Sequence, residues 1–177
     1  GVDPESKTPT FAALKLQVDN WRWQGVPFYL RSGKALKDKV SQIAITFKEP
    51  PHLLFNVSDG GLNPNMLVLF LQPDEGVHWR FEAKVPDTIS ETRPVDMEFH
   101  YADSFSNTAI PEAYERLLLD TITGDASLFT RADEVESAWG LIDPILEAWK
   151  GTSQPLPSYD VGTWGPPKAA ALLAREG

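Results

Sequence analysis

The stretch PFYLRSGKALKDK, residues 27–39, leads from an apolar, strand-like run into a short segment rich in positive charge. Its four cations are Arg31, Lys34, Lys37 and Lys39. The whole chain carries a formal net charge of -9, so this local excess of positive charge indicates a specific role. Gly33 allows the backbone to turn tightly or to approach a ligand closely, and lysines beyond it can donate charge-assisted hydrogen bonds to phosphate or hydroxyl oxygens. The stretch therefore predicts a strand that ends in an anion-binding loop.

On both sides of this stretch, apolar and polar residues alternate with the period of two that is expected of half-buried strands. The apolar positions of four such segments are Leu14, Leu16 and Val18; Ile43, Ile45 and Phe47; Trp79, Phe81, Ala83 and Val85; and Val95, Met97, Phe99 and Tyr101. Residues 66–71 form a continuous apolar run instead, which is typical of a strand covered on both faces. Strands are therefore predicted to dominate residues 1–101.

The residues that follow change to the helical period. One helix is predicted to begin near Pro111, a residue that a first helical turn tolerates, and to end at Gly124. A second is predicted to begin at a capping box formed by Thr130 and Asp133, and Pro144 is expected to kink it. Its apolar stripe, which we interpret as core packing, consists of Val135, Ala138, Trp139, Ile142, Leu146 and Trp149.

A segment rich in proline and glycine, residues 153–167, is predicted to pack as an ordered strap before a last short helix at residues 169–175. Strands followed by helices favour an α+β fold, with a large, mixed but mainly antiparallel β-sheet and helices packed on one face. At 177 residues with 42% hydrophobic content, the chain is long enough for one domain with a buried core, which we assign to residues 1–177.

Composition disfavours several classes of partner. The isoelectric point of about 4.8 argues against nucleic acid, because binding to phosphates requires many cations on one face. No run of about 18 apolar residues occurs, so no membrane span is predicted. The absence of cysteine removes disulfide and thiolate chemistry and fits a cytoplasmic protein. Since the chain opens with Gly1 and its only methionines are Met66 and Met97, we expect it to be a piece of a longer protein.

The sequence contains no complete catalytic motif. Gly33-Lys34 is similar to the end of a P-loop, but Phe28 and Ala35 occupy the positions where that motif requires glycine and Ser or Thr. No G-x-G-x-x-G dinucleotide fingerprint and no G-x-S-x-G nucleophile elbow occur. Metal-ligand spacing is missing at the three histidines, which are His52, His78 and His100. No metal site is therefore predicted, and the cation cluster is either a solvated loop or a sugar- or phosphate-binding edge.

Several longer motifs make the chain resemble the C-terminal domain of glucose-6-phosphate 1-dehydrogenase. In order along the chain they are FAALKL (11–16), NWRW (20–23), GVPFYLRSGK (25–34), LQPDE (71–75), PEAYERLLLD (111–120), residues 129–139 and YDVGTWGP (159–166). Such an ordered series covers almost the whole chain and is far more specific than an isolated glycine motif.

The resemblance implies an oxidoreductase that oxidises C1 of glucose 6-phosphate to 6-phosphogluconolactone with NADP+, the first step of the oxidative pentose phosphate pathway. It also implies that the catalytic histidine base and most of the NADP+ site belong to an N-terminal dinucleotide-binding domain that is absent from this chain. No catalytic residue is therefore expected here. By the same resemblance, Lys34, Lys39 and Gln72 are expected to bind the substrate, and Arg31 matches a position associated with the cofactor.

The resemblance further implies a homodimer or homotetramer that associates through the β-sheet. Vertebrate members hold an additional structural NADP+ with several cations. At the matching places this chain has Val40, Ala44, Phe70 and Trp164. That second site is therefore not expected, although Arg31 and Arg80 remain. The alternative hypothesis is a non-catalytic module, derived from the same domain, that senses sugar phosphates or serves in assembly.

Overall fold

The computed structural model describes residues 3, 6–50, 52, 62–89, 91–105 and 113–174. The chain divides into two compact units: unit 1 comprises Gly1–Asp38 and Glu112–Gly177, and unit 2 comprises Lys39–Pro111. In chain order, the described elements are β1 (Phe11–Gln17), β2 (Pro27–Gly33), β3 (Ser41–Thr46), β4 (Met66–Gln72), β5 (Gly76–Lys84), β6 (Thr92–His100), α1 (Tyr101–Ser104), α2 (Ala113–Thr123), α3 (Ala132–Lys150) and α4 (Pro167–Ala174). The predicted α+β class is confirmed.

Unit 1 begins with an antiparallel hairpin of β1 and β2. The connection turns tightly because the Asn20 side-chain oxygen accepts a hydrogen bond from the backbone N–H of Trp23 at 2.9 Å. Gly25 then takes a φ of 74°, which glycine adopts at no steric cost. The hairpin register places Phe11 opposite Gly33. The cation-rich segment after β2 therefore lies beside the residues that enter β1.

The helices of unit 1 lie close to the predicted ranges. α2 ends at Thr123 and is followed by Gly124 with a φ of 76°, a common helix stop. The predicted first-turn position of Pro111 lies outside the described residues. α3 continues through Pro144, and α4 packs against β1 with Ala169 buried.

The predicted capping box at Thr130 and Asp133 is wrong. The residue that caps α3 is Arg131, and it makes no side-chain capping hydrogen bond. The Asp133 carboxylate instead accepts hydrogen bonds from the Nε and Nη2 atoms of Arg131, at 3.0 and 2.6 Å. This local ion pair occupies the carboxylate that the capping box would have used.

The interpretation of the α3 stripe as core packing holds for only part of its length. Ile142, Leu146 and Trp149 are half-buried, but Trp139 is 55% exposed and Val135 is also exposed. The C-terminal part of the stripe is thus partly covered, whereas its N-terminal part is exposed. The prediction was therefore wrong for Val135, Ala138 and Trp139.

Unit 2 contains an antiparallel sheet with the strand order β3-β4-β5-β6. β4, the continuous apolar run, has neighbours on both sides, and its Val68 is buried. The sequence predicts one large, partly mixed sheet, whereas the described pairings form a two-stranded sheet in unit 1 and this four-stranded one, antiparallel throughout. The β3–β4 register shifts between Ser41 and Gln42, near the beginning of β3.

Candidate functional site

Lys34 lies immediately after β2, at the open end of the unit 1 hairpin. Its backbone N–H donates to the carbonyl oxygen of Thr10 at 2.8 Å, which extends the ladder one residue beyond the pair of Phe11 and Gly33. A Cβ atom on Gly33 would lie only 2.7 Å from the Phe11 ring and 3.2 Å from the side chain of Leu36, so glycine allows close packing here. The side chain of Lys34 is exposed. The hairpin therefore holds the backbone of a lysine whose side chain reaches solvent.

The predicted strap comprises residues 153–166 in the structure, because α4 begins at Pro167. It packs against the loop that carries Lys34, through three hydrogen bonds to the loop backbone. These bonds join Tyr159 Oη to Lys34 O (2.7 Å), Gly162 N to Ala35 O (3.0 Å) and Lys37 N to Thr163 O (2.9 Å). The loop conformation thus depends on residues more than a hundred positions later in the chain.

Arg31, the predicted cofactor-associated residue, lies on β2 in unit 1. The guanidinium carbon is 5.4 Å from the centroid of the Trp164 ring, within the range of a cation–π contact. Such a contact restricts the guanidinium to one side of β2. Its role toward a cofactor stays a prediction.

In unit 2, Lys39 and Gln72 lie at the same end of the β3–β4 pair. Gln72 is the last residue of β4 and pairs with Ser41, two residues after Lys39. Both side chains are exposed. Gln72 also begins the tight connection to β5, where it forms a cis peptide bond with Pro73. An amide and an ammonium group thus lie at one end of the sheet, a combination suited to hydroxyl and phosphate oxygens.

The structure therefore brings two of the three predicted substrate residues to a common sheet end. Lys39 and Gln72 belong to unit 2, and Lys34 belongs to unit 1. The backbone of Lys34 is fixed by β1 and by the strap, whereas Gln72 is held by its pairing in the four-stranded sheet.

A cluster around His100 was not predicted as a functional feature. His100 ends β6 opposite Gly76, and its ring stacks on Phe70 with a centroid distance of 5.9 Å. Its Nε2 lies 2.9 Å from Glu98 Oε1. Its buried Nδ1 lies 2.8 Å from Asp74 Oδ2, at ion-pair distance but without hydrogen-bond alignment.

These acidic neighbours alter the titration of His100. The hydrogen bond with Glu98 contributes most to raising its pKa, and the charges of Asp74, Glu98 and Asp103 act in the same direction, while desolvation opposes them. The only sequence signal was a histidine at the end of a predicted strand. Asp74 lies two residues after Gln72, so the cluster borders the turn that carries a predicted substrate residue.

A second polar cluster lies across β5 and β6. Asp96 Oδ1 accepts one hydrogen bond from Arg80 Nε at 2.8 Å and lies 2.7 Å from His78 Nε2. The hydrogen bonds from Arg80 and then from His78 lower the pKa of Asp96 to about 2. Within the described residues, no group of three or more His, Cys, Asp or Glu side chains is arranged to hold a metal ion.

One cavity borders the strap. Its volume is about 110 Å³, and its lining residues are Pro9, Thr10, Phe11, Leu156, Pro157, Tyr159 and Pro166. Ligand pockets commonly have volumes of about 300–1,000 Å³. This cavity is therefore a packing gap between β1 and the strap and is too small for a sugar phosphate.

A family model described as glucose-6-phosphate dehydrogenase, C-terminal domain, matches residues 1–177. The chain belongs to this family. The resemblance seen in the sequence motifs is thereby confirmed. None of the helices in the described part of the chain is long and apolar enough to cross a membrane.

Individual curated relatives indicate the same family. The chain is 47% identical to a glucose-6-phosphate 1-dehydrogenase of Rhizobium meliloti, over 97% of this chain and 35% of that protein. It is 48% identical to the enzyme of Chlamydia trachomatis, over 99% of this chain and 40% of that protein. The chain thus spans between about a third and two-fifths of the length of the curated relatives that it matches.

Solved structures support the same fold. A glucose-6-phosphate dehydrogenase in complex with its substrate glucose 6-phosphate superposes with a TM-score of 0.88 at 36% identity, covering 99% of this chain and 36% of that one. The glucose-6-phosphate 1-dehydrogenase of Mycobacterium avium superposes with a TM-score of 0.78 at 34% identity, covering 97% of this chain and 35% of that one.

Proposed function

We propose that this chain is the substrate-binding and oligomerisation domain of a glucose-6-phosphate dehydrogenase, an enzyme that oxidises C1 of glucose 6-phosphate to 6-phosphogluconolactone with NADP+. The observation that carries the proposal is the family match along the whole chain, including the Lys34 loop. A solved relative with glucose 6-phosphate bound supports the substrate. The protein is proposed to be cytoplasmic and to form a homodimer or homotetramer through the β-sheet.

In this proposal the chain binds and orients the substrate and performs no proton transfer. Lys34 and Lys39 donate charge-assisted hydrogen bonds to the sugar phosphate, and Gln72 contributes neutral hydrogen bonds. NADP+ accepts the hydride, and it is bound mainly by an N-terminal dinucleotide-binding domain, with Arg31 as a contact from this chain. The catalytic base lies in that N-terminal domain, so this chain alone is expected to be inactive.

Lys34→Ala in the full-length protein that contains this chain tests the proposal. Each charge-assisted hydrogen bond contributes about 1.5–3 kcal/mol, so the variant is expected to lose about 10- to 150-fold in kcat/KM for glucose 6-phosphate. The measurement is glucose-6-phosphate-dependent reduction of NADP+. Lys168→Ala, which removes an equal charge from the exposed side of α4, is the matched control and should resemble the wild type.

Each of the other results has a distinct meaning. If Lys34→Ala leaves the activity unchanged, the dehydrogenase function would stand, but the substrate-binding role of Lys34 would be rejected. A folded wild-type protein without activity would favour the non-catalytic sensing or assembly module. Reduction of NADP+ by the isolated chain would contradict the placement of the catalytic base outside it.

A further inference from the structure

The hydroxyl of Tyr159 links two segments of unit 1 at the position of Lys34. Its oxygen lies 2.7 Å from the carbonyl oxygen of Lys34 and 3.1 Å from that of Thr10. Since a phenol carries one proton, the shorter contact identifies Lys34 as the main acceptor. The Thr10 carbonyl already accepts the backbone N–H of Lys34 at 2.8 Å. Both backbone polar groups of Lys34 are therefore held.

We propose that Tyr159 is a positioning residue, which fixes the backbone of Lys34 so that its side chain is presented in a defined direction. The inference rests on the proposed function, in which Lys34 binds the sugar phosphate. The ammonium group of a lysine sits at the end of a flexible four-carbon stem. Fixing the backbone of Lys34 reduces the volume that the ammonium group samples. Less conformational entropy is then lost when Lys34 binds the sugar phosphate.

The aromatic ring of Tyr159 is held independently of its hydroxyl. It makes an edge contact with Phe11 at a centroid distance of 5.5 Å. Gly165 packs on the same ring of Phe11, which leaves no room for a Cβ atom at this position. Removing only the hydroxyl therefore leaves the aromatic packing of the strap in place and isolates the hydrogen bond to Lys34.

The loop conformation itself requires outside support. Ala35, directly after Lys34, has a φ of 50°, a left-handed conformation that is unfavourable for an L-residue with a Cβ atom. Such a conformation persists when the surrounding structure holds it. The N–H of Gly162 donates to the Ala35 carbonyl at 3.0 Å, so the strap holds this residue as well.

The test uses Tyr159→Phe in the full-length enzyme, alone and combined with Lys34→Ala. Loss of one neutral hydrogen bond predicts a rise of about 3- to 10-fold in KM for glucose 6-phosphate. We expect kcat and the KM for NADP+ to stay within about twofold, since the bond serves substrate binding. Tyr114→Phe is the matched control: Tyr114 is 77% exposed on α2, its hydroxyl bonds to no described residue, and all constants should stay unchanged.

The double variant separates positioning from general stability. If Tyr159 acts through Lys34, adding Tyr159→Phe to Lys34→Ala should cause no further rise in KM. An equal additional rise in both backgrounds would overturn the inference, as would an unchanged KM in Tyr159→Phe beside a raised KM in Lys34→Ala. An unchanged KM in Lys34→Ala would instead overturn the substrate role of Lys34, and this inference with it.

A second variant keeps the inference testable if Tyr159→Phe folds poorly. Gly162 has a φ of 79°, and a Cβ atom there would meet nothing within 4 Å, so Gly162→Ala strains only the backbone that donates to Ala35. It should raise the KM for glucose 6-phosphate and leave the KM for NADP+ unchanged. A folded Gly162→Ala enzyme with wild-type affinity for glucose 6-phosphate, measured calorimetrically without NADP+, would contradict positioning by the strap.

Discussion

The carboxylate of Asp96 lies 2.8 Å from the Nε atom of Arg80, its direct partner across the β5–β6 pair. His78 lies two residues before Arg80 on the same face of β5, and its Nε2 atom is 2.7 Å from the same carboxylate oxygen. One carboxylate thus serves two potential cations on a face that the sequence already shows to be polar. This arrangement predicts a pH dependence of stability that is specific to the sheet of unit 2.

Asp96→Asn should reduce the loss of stability in acid. The folded-state pKa of Asp96 is about 2, below its usual value of 3.8, mainly because of the hydrogen bond from Arg80. The contribution of Asp96 to folding stability is therefore complete above its unfolded-state pKa and disappears as the pH falls through its folded-state pKa. The Tm difference between wild type and Asp96→Asn should shrink as the pH falls from 3.8 toward 2. A difference that stays constant over this window would contradict the prediction.

His100 should contribute a pH dependence of the opposite sign. Because its folded-state pKa is raised above 6.5, chiefly by Glu98, the stabilisation is complete below that value and is lost as the pH rises through the higher folded-state pKa. The Tm advantage of wild type over His100→Gln should therefore decrease above pH 6.5. Glu98→Gln, which removes the largest cause, should weaken the pH dependence; an unaltered dependence in that variant would reject Glu98 as the cause.

Arg116→Gln should destabilise unit 1 through the carboxylate that it leaves behind. Asp120 on α2 is only 3% exposed, and its Oδ1 lies 2.9 Å from the Nε of Arg116. A buried polar group that loses its partner costs about 1–3 kcal/mol in the free energy of unfolding, which urea denaturation of the full-length protein would detect.

The matched control for this prediction is Lys150→Gln on α3. It also removes a cation from a helical ion pair, with Glu147 at 2.7 Å, but both side chains are exposed. Exposed pairs contribute little, because water solvates each charge without the other. Equal losses in the two variants would show that burial of Asp120 is not the deciding factor.

Lys39→Ala should weaken substrate binding in the full-length enzyme. A lost charge-assisted hydrogen bond predicts a rise of about 10- to 150-fold in KM for glucose 6-phosphate. Gln72→Ala at the same sheet end should have a smaller effect, about 3- to 10-fold, because its hydrogen bonds are neutral. Steady-state kinetics at saturating NADP+ would measure both, and a larger effect at Gln72 would reverse the proposed roles.

Local periodicity predicted much of this fold. The segments that alternate around Leu14, Ile43 and Trp79 form strands, because successive side chains of a strand point to opposite faces. The expected half-burial is absent from β3, in which all six residues are exposed. Predictions from local sequence were less successful where two interactions compete for the same side chain. At the beginning of α3, Asp133 has the spacing of a capping residue but pairs with Arg131 instead.

The sequence by itself determined the family, the α+β class, the strand positions and the cation-rich loop after β2, because these depend on residue types at short spacing. Only the tertiary structure decided how that loop is held. Tyr159 and Lys34 are separated by 125 positions, and no periodicity relates them. The approach of Asp74 to His100 likewise depends on the β5–β6 register and on the β4–β5 turn, whereas Glu98 lies only two positions before His100 on the same strand. Hydrogen bonds between distant segments form only after folding places their donors and acceptors within about 3 Å, which local sequence does not encode.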